Sequence, residues 1–410
     1  MRTKTCIQDL AILGGPPAFD QPLHVGRPNI GDRARLMQRL NDILDRAWLS
    51  NHGTCVQEFE RRLKELLGVR HCLVVCNATV GLEIALRALD MHGEVIVPAF
   101  TAAATAHAVN WLGMTPVFCD IDAQTHNLDP ACVESLITPR TSGILAVHLW
   151  GRSCAVEALA DIAQRHRLKL LFDAAHALLC SHRGQYLGGF GHAEVFSFHA
   201  TKFCNSLEGG AIATNDDALA QRITLMRTFG FSGPDVVLSA GINGKLNEFA
   251  AAMGLTSLES ADQFIAVNRR HWQCAVASLA DLPGVSMISY DTAERNNYHY
   301  LVLQVDAAQA GINRDALLAV LTAENVLARR HFYPGCHRWE PYVTADPQAY
   351  RRLPNTEKVA AQVLQLPNGT GIPPDAIQDI CAVIRLAAAN GGELMGRLGG
   401  DGRNPRVNPR

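Results

Sequence analysis

The stretch EVFSFHATKFCNSLEGGAIATND, residues 194–216, joins two short apolar runs by a polar segment that contains a lysine. In both runs, EVFSF (194–198) and GAIAT (210–214), the apolar residues are continuous rather than alternating, which is typical of strands buried on both faces of a sheet. The lysine, Lys202, follows the end of the first run in an apolar neighbourhood. The pattern predicts a sheet that helices cover on both sides, with this lysine at one edge.

Five further apolar runs precede this stretch and extend the same pattern. Stretches with apolar residues at helical spacing, such as 80–89 and 156–167, lie between them. We therefore predict an α/β large domain over residues 1–262, including an N-terminal arm. Its seven-stranded, mostly parallel sheet is built from the two runs above and from CLVVC (72–76), EVIVP (94–98), TPVFC (115–119), GILAVH (143–148) and LKLLF (168–172).

The pattern changes after Leu246. A long helix from Glu248 is followed by an amphipathic helix, a pair of strands within 285–305 and several further helices. This mixture predicts a smaller C-terminal α+β domain over residues 263–395. Residues 396–410 are mostly glycine, proline, asparagine and arginine, a composition that predicts a disordered tail.

Composition bears on partners and compartment. The 410 residues include 37 Lys and Arg against 39 Asp and Glu, so no net field draws the chain to nucleic acid or acidic lipid. Residues 95–119 carry no charged side chain, but prolines, a glycine and an asparagine interrupt them, which favours a buried strand, helix and strand over a membrane span. The twelve cysteines form no CxxC pair, and no secretory leader pattern is visible. We expect a cytoplasmic protein with no metal site.

Polar residues follow three of the predicted strands, where ligands of open α/β sheets bind. Ala78 and Thr79 open a helix after the run 72–76, and their amides would suit a phosphate, although Thr79 could simply cap that helix. Asp173 ends the run 168–172, where a helix cap is the alternative. Lys202 is either a surface charge or a buried amine with a lowered pKa.

Together these three features fit pyridoxal 5'-phosphate. The phosphate of this cofactor needs amide donors, its aldehyde needs an amine, and its ring nitrogen needs a carboxylate that keeps it protonated. Each feature is ambiguous alone, but their order and their positions on one sheet favour this cofactor.

At this level of detail the chain resembles the DegT/DnrJ/EryC1/StrS family of sugar aminotransferases, which has the PLP-dependent transferase fold type I of aspartate aminotransferase. The resemblance covers residues 47–260 and continues more weakly through HFYPGCHRWEPY (331–342). Its segments include EVIVPAFTAAAT (94–105), PVFCDID (116–122), FDAAHA (172–177), GGFGHAEVFSFHATKFCNSLEGGAIATND (188–216) and GINGKLNEFAAAMGL (241–255).

The resemblance implies a role for each matching residue. Lys202 matches the lysine that bonds to the cofactor and then moves a proton between substrate and cofactor carbons, and Asp173 matches the partner of the pyridine nitrogen. His176 matches a residue near the cofactor ring and its phenolic oxygen. The phosphate-binding set corresponds to Ala78, Thr79 and Ser197, together with Asn243, which would reach the phosphate in the neighbouring subunit and make the active site a property of a homodimer.

One position departs from the family. Where the family carries an aromatic residue that stacks on the pyridine ring, this chain has Ala102, so we expect Phe100 to supply the stacking or the stacking to be weaker. On the sugar side, His148, Lys245, Tyr333 and His337 are candidate substrate contacts; packed or surface side chains are the alternative, and for His148 the alternative is a bond to the backbone.

The activity that the resemblance implies is amino transfer from L-glutamate, through the pyridoxamine phosphate form, to a nucleotide-linked ketosugar. The expected reaction converts dTDP-4-keto-6-deoxy-D-glucose to dTDP-4-amino-4,6-dideoxy-D-glucose, and a 3-ketosugar or a ketocyclitol such as scyllo-inosose remains an alternative acceptor. A pyridoxamine-dependent dehydratase is disfavoured because relatives of that type carry histidine in place of Lys202. A non-catalytic, sugar-binding regulatory relative is disfavoured because Asp173, Ser197 and Lys202 are all present.

Overall fold

Strands and helices alternate through most of the chain, and the structure, a computed structural model, describes residues 2–398. The strands are β1 (Leu23–His24), β2 (His71–Val75), β3 (Glu94–Pro98), β4 (Thr115–Cys119), β5 (Thr141–Val147), β6 (Lys169–Asp173), β7 (Ser181–His182), β8 (Gln185–Tyr186), β9 (Ala193–Ser197), β10 (Gly210–Thr214), β11 (Phe231–Gly233), β12 (Val236–Val237), β13 (Val285–Met287), β14 (Leu301–Val305), β15 (Val326–Leu327) and β16 (Val363–Leu366). The α-helices are α1 (Arg33–Arg46), α2 (Thr54–Leu67), α3 (Ala78–Ala88), α4 (Ala103–Trp111), α5 (Pro130–Val133), α6 (Val156–His166), α7 (Asp217–Met226), α8 (Glu248–Glu259), α9 (Ala261–Leu279), α10 (Ala307–Ala310), α11 (Arg314–Ala323), α12 (Tyr342–Ala345), α13 (Pro354–Gln362), α14 (Ala376–Ala389) and α15 (Gly391–Leu398).

The central sheet has seven strands in the order β2-β10-β9-β6-β5-β3-β4. β10 runs antiparallel to both of its neighbours, and the other neighbouring pairs are parallel. All seven apolar runs that the sequence predicts as strands are strands of this sheet. The predicted α/β fold with a mostly parallel seven-stranded sheet is confirmed.

Helices cover both faces of the sheet, which explains why its strands are apolar without alternation. Val74 of β2 packs with Phe59 of α2 and Ala251 of α8, whereas the next residue, Val75, packs with Leu82 of α3 on the opposite face. The uncharged residues 95–119 form most of β3, all of α4 and β4. No helix within residues 2–398 is both long enough and apolar enough to cross a membrane.

A smaller antiparallel sheet, in the order β13-β14-β16, lies in the C-terminal part of the chain. Helix α9 contributes to two buried clusters: Phe264 packs with Phe59 and Phe198 of the large sheet's core, and Leu279 packs with Leu301 of the small sheet. The predicted boundary at 262/263 therefore falls inside a helix that both cores share, and the division at that residue stays a prediction.

The first residues of the N-terminal arm, which the sequence pattern assigns to the large domain, pack with the C-terminal part of the chain, and the assignment of the arm to a domain stays a prediction. Ile7, Leu10 and Phe19 are buried in the same cluster as Leu317 and Val326 of the C-terminal part, and β1 pairs in parallel with β15. These apolar residues complete the core beneath the small sheet, which the C-terminal residues alone would leave open.

One buried carboxylate fixes this arm in place. Glu324 accepts hydrogen bonds from the amides of Ala11 and Ala18, both at 2.7 Å, and pairs with the amine of Lys4 at 3.0 Å. Because Glu324 has no solvent-exposed surface, these three partners are what compensate its charge.

The predicted tail begins too early. Gly396, Arg397 and Leu398 end helix α15, where Arg397 pairs with Glu393 one turn earlier and Leu398 packs against the C-terminal core. The rest of the predicted tail lies outside the described residues.

Candidate active site

The carboxyl ends of three parallel strands meet at one edge of the large sheet and bring the predicted site residues together. Asp173 is the last residue of β6 and lies in register with Val195 of β9, two residues before Ser197. β10 begins between β2 and β9 at Gly210, which pairs with Val75 on one side and Ser197 on the other. The start of α3, the carboxylate of Asp173 and the loop that carries Lys202 therefore share this edge.

The amine of Lys202 is enclosed at this edge. Its Nζ donates a hydrogen bond to the phenol oxygen of Tyr300 at 3.0 Å. Burial lowers the pKa of Lys202 to about 8, and the negative charge of Asp173 opposes that shift. An appreciable fraction of the amine is therefore uncharged, and nucleophilic, near neutral pH.

Asp173 is buried, with 4% of its surface exposed. Its Oδ2 accepts a hydrogen bond from the hydroxyl of Thr105 at 2.8 Å, and its Oδ1 accepts one from the amide of Ala175 at 3.0 Å. Burial raises the pKa of Asp173, while these hydrogen bonds and the nearby Lys202 favour the charged form. A carboxylate in this setting gains from a cationic partner in the cavity.

The start of α3 can receive an anion. Asn77, not Thr79, caps this helix, because the Asn77 side chain accepts the Val80 amide at 2.9 Å. Within residues 2–398 the amides of Ala78 and Thr79 make no hydrogen bond, so they remain available to a ligand. A Cβ at Gly210 would lie 2.8 Å from the Ala78 nitrogen, so only glycine lets β10 pass this close to the helix start.

His176 and Ser197 lie at the same cavity. The His176 ring packs 4.1 Å from the Tyr300 ring, and its Nδ1 accepts the Trp150 amide at 3.2 Å. Burial holds the pKa of His176 well below its usual value, so the ring is neutral. The residues that line the cavity are Ala175, His176, Leu178, Ser197, Lys202, Phe203, Cys204, His299 and Tyr300.

The position of Phe100 contradicts the expectation that its ring stacks on the cofactor ring. It has no exposed surface, and its ring makes edge contacts with His126, Trp150 and Phe332 at centroid distances of 5.8–6.3 Å. These neighbours enclose the ring, so it offers no free face. The aromatic rings at the cavity itself belong to other residues, among them His176 and Tyr300.

Two of the four candidate sugar contacts are buried away from the cavity, against expectation. His148 has no exposed surface: its Nδ1 accepts the Cys154 amide at 3.0 Å, and its Nε2 lies 3.3 Å from Glu194. This is the alternative in which the histidine satisfies a backbone group. His337 is 1% exposed, and its Nε2 bonds to Glu357 at 2.6 Å, so its ring is committed to that carboxylate.

The other two candidates, Tyr333, which is exposed, and Lys245, which is half-buried, do not line the cavity. Tyr333 is 40% exposed, and the guanidinium groups of Arg314 and Arg330 lie 4.8 and 4.7 Å from the centre of its ring. Lys245 donates from Nζ to the side-chain oxygen of Asn243 at 2.6 Å, on the surface beside the end of β2. Substrate contacts by Tyr333 and Lys245, and a phosphate contact by Asn243 across a dimer, stay predictions.

Three site residues were missed in the sequence: Thr105, His299 and Tyr300. A hydroxyl in the alanine-rich helix after β3 was the available signal for Thr105. His299 and Tyr300 directly precede β14, in a stretch that resembles ordinary core sequence. His299 donates from Nε2 to the carbonyl of Thr201 at 3.0 Å, which anchors the lysine loop to the C-terminal part of the chain.

Comparison with known proteins identifies the family of this site. A family model described as the DegT/DnrJ/EryC1/StrS aminotransferase family matches residues 31–385. The chain belongs to the DegT/DnrJ/EryC1/StrS aminotransferase family. The predicted family and enzyme class, a PLP-dependent sugar aminotransferase, are therefore confirmed.

Members of the DegT/DnrJ/EryC1/StrS family match over nearly their whole length. A Shigella dysenteriae protein named dTDP-4-amino-4,6-dideoxy-D-glucose transaminase is 33% identical over 367 residues, 90% of this chain and 99% of the relative. An Escherichia coli protein of the same name is 34% identical, over 89% of this chain and 98% of the relative. A crystal structure of DesI in the presence of its TDP-sugar product is 50% identical, with a TM-score of 0.90 over 96% of this chain and 99% of that one.

Proposed function

We propose that the protein transfers the amino group of L-glutamate to dTDP-4-keto-6-deoxy-D-glucose, with pyridoxal 5'-phosphate as cofactor, and releases dTDP-4-amino-4,6-dideoxy-D-glucose. The observation that carries the proposal is the full-length match to two transaminases named for that product. The DesI structure, 50% identical and solved with a TDP-sugar product, supports the same substrate class.

Three groups of the site fit the cofactor. The free amides of Ala78 and Thr79 at the start of α3, with the hydroxyl of Ser197, suit its phosphate. Asp173, a buried carboxylate that has no cationic hydrogen-bond partner within residues 2–398, suits the protonated ring nitrogen. Lys202, whose amine is partly uncharged at neutral pH, suits the aldehyde.

The cofactor, when bound, supplies an electron sink for the negative charge that develops on the substrate carbon. Asp173 keeps the ring nitrogen protonated, and Thr105 and Ala175 hold this carboxylate in one orientation. Lys202 holds or releases the proton that moves during the reaction, for which a pKa of about 8 is well matched.

We also propose that the enzyme acts as a homodimer in which Asn243 of one subunit completes the phosphate site of the other. In support, large apolar side chains on the hairpin that leads to Asn243 are 43–63% exposed and form a patch that a second copy would cover. These side chains are Phe229, Phe231, Val236, Val237, Leu238 and Ile242. The cytoplasmic location expected from the sequence stays a prediction.

The cofactor is tested by reducing the loaded protein with borohydride and mapping the modified peptide. We expect the label on Lys202, loss of the label and of amino transfer in Lys202→Ala, and neither loss in the matched control Lys169→Ala, at the opposite end of β6. Unlabelled wild-type protein, or turnover by Lys202→Ala, would refute the assignment.

The acceptor is tested by mass spectrometry of products from glutamate and a panel of 4-ketosugar nucleotides, 3-ketosugar nucleotides and inososes. The proposal expects the dTDP-4-ketosugar to be aminated fastest. Preference for a 3-ketosugar or for scyllo-inosose would replace this substrate assignment while leaving the cofactor chemistry intact.

The shared site is tested by mixing Lys202→Ala with Asn243→Ala subunits. If Asn243 serves the partner's site, each mixed dimer contains one site with both wild-type residues, and mixing restores activity. No recovery after subunit exchange would place Asn243 in its own subunit's site or outside any site.

A further inference from the structure

The amine of Lys202 makes a single hydrogen bond within residues 2–398, and its partner is Tyr300. The two residues are 98 positions apart: Lys202 follows β9 of the large sheet, and Tyr300 directly precedes β14 of the small sheet. The phenol therefore reaches the lysine from beside the small sheet. Neither the strand pattern nor the residue spacing of the sequence predicts this contact.

Packing fixes the position of the Tyr300 oxygen. The residue is 5% exposed, and its ring lies between the His176 ring at 4.1 Å and the His299 ring at 4.7 Å. Its backbone carbonyl accepts the hydroxyl of Tyr290 at 3.0 Å. With ring and backbone both held, the phenol oxygen has little freedom to follow a moving amine.

Among the groups around this amine, the phenol of Tyr300 is the uncharged hydrogen-bond acceptor. Asp173 is the negative group that faces Lys202, and His176, His299 and His331 surround it with pKa values that burial lowers, to about 4 for His299. Burial raises the pKa of Tyr300 well above its usual value, so the phenol keeps its proton across the working pH range. It can accept from the amine without introducing a second negative charge.

We propose that Tyr300 is a positioning residue for Lys202: its phenol holds the amine at the cavity whenever the lysine is not bonded to the cofactor. This inference rests on the proposed function, in which the uncharged amine takes one proton from the substrate carbon and becomes an ammonium. The electron pair of the broken C–H bond would pass to the cofactor, and the ammonium, with one N–H kept on the Tyr300 oxygen, would return the proton to the cofactor carbon while the phenol keeps its own proton throughout.

The bond has a measurable consequence for the lysine. An acceptor at 3.0 Å favours the ammonium over the neutral amine, so its removal lowers the pKa of Lys202. The difference in energy between a hydrogen bond from the charged ammonium and one from the neutral amine corresponds to a shift of about one pKa unit. Tyr300→Phe removes this oxygen and keeps the ring that packs on His176.

The test uses the full-length protein loaded with pyridoxamine 5'-phosphate, which leaves Lys202 free. Trace acetylation at a series of pH values, followed by peptide mass spectrometry, gives the apparent pKa of Lys202. We expect the pKa for Tyr300→Phe to lie about one unit below that of the wild type. Because the proton acceptor must be uncharged, the acidic limb of the kcat profile should move to lower pH by the same amount.

Tyr342→Phe is the matched control, since it removes a buried phenol whose hydrogen-bond partner is His107 rather than the lysine or Tyr300. Its Lys202 pKa should equal that of the wild type. An unchanged pKa in Tyr300→Phe, or an equal shift in Tyr342→Phe, overturns the inference. If Tyr300→Phe does not fold, Tyr300→Leu is measured with the same expectation. Failure of borohydride to label wild-type Lys202 would instead reject the proposed function.

Discussion

The hydroxyl of Thr105 is expected to stabilise the charged form of Asp173, and Thr105→Val tests this with little change of shape. Thr105 is fully buried and donates to Oδ2 of Asp173 at 2.8 Å. A hydrogen bond to a carboxylate contributes about 1.5–3 kcal/mol to stability, whereas one to a neutral carboxyl contributes about 0.5–1.5 kcal/mol. The loss in Thr105→Val should therefore be about 1 kcal/mol larger when Asp173 is ionised.

The way in which the free energy of unfolding changes with pH follows from the raised pKa of Asp173. Between the unfolded value, about 3.9, and the higher folded value, the folded protein binds more protons than the unfolded chain, so this group makes stability fall as pH rises. Removal of the Thr105 donor raises the folded pKa further and extends that window upward. The destabilisation relative to wild type should thus be about 1 kcal/mol smaller near pH 4 than above the variant's folded pKa, where it reaches its full value.

Urea unfolding of the cofactor-free protein, at a series of pH values from 4.5 to 8, measures this difference. The matched control is Thr101→Val, because the Thr101 hydroxyl bonds to that of Thr105 at 3.1 Å and makes no bond to Asp173. The free energy of unfolding that Thr101→Val loses should be the same at each pH. A Thr105→Val loss that does not grow with pH, or equal growth in the control, would refute the reasoning.

The remaining predictions concern the helix starts and the N-terminal arm. Gly210→Ala places a Cβ 2.8 Å from the Ala78 nitrogen and should weaken pyridoxal phosphate binding about tenfold in a fluorescence titration, whereas Gly233→Ala, with no atom within 4 Å, should not. Asp120→Ala removes the acceptor for the amides of Asn355 and Thr356 at the start of α13 and should cost about 2 kcal/mol in urea unfolding; a loss no larger than in Asp120→Asn would contradict this. Glu324→Ala should accelerate hydrogen exchange of the Ala11 and Ala18 amides, and exchange as slow as in the surface control Glu393→Ala would show that another contact holds the arm.

The large sheet could be predicted well because most of its strands are buried on both faces. A run such as GAIAT (210–214) lacks the regularly spaced polar residues of an amphipathic helix or of a half-exposed strand. Its predicted bounds equal those of β10. Lys202 and Asp173 were found for a related reason, since both follow strand ends in a parallel arrangement that brings such ends together.

What the sequence did not reveal depends on contacts between distant parts of the chain. Tyr300 reaches Lys202 from another sheet, and no periodicity records which tyrosine of a buried stretch will do so. Asn77 and Thr79 are both good capping residues, and the backbone geometry at the start of α3 decides between them. Phe100 fails as a stacking residue because three other rings surround it, a fact of packing that its place after a strand does not convey.

The seating of the arm on Glu324 has a consequence for how the protein is made. Ala18 leaves the ribosome 306 residues before the carboxylate that will bind its amide, an interval of roughly 15 to 60 seconds at about 5–20 residues per second. During that time Leu10 and Phe19 have no core to enter, although the strands of the large sheet are already emerging. The lysine loop also gains a contact from late in the chain, because Asn29 donates to the carbonyl of Phe203 and accepts a hydrogen bond from the amide of Thr370. The large sheet of a nascent chain can thus form early. The contacts that hold the active site in place are complete only after the last third of the protein has been translated.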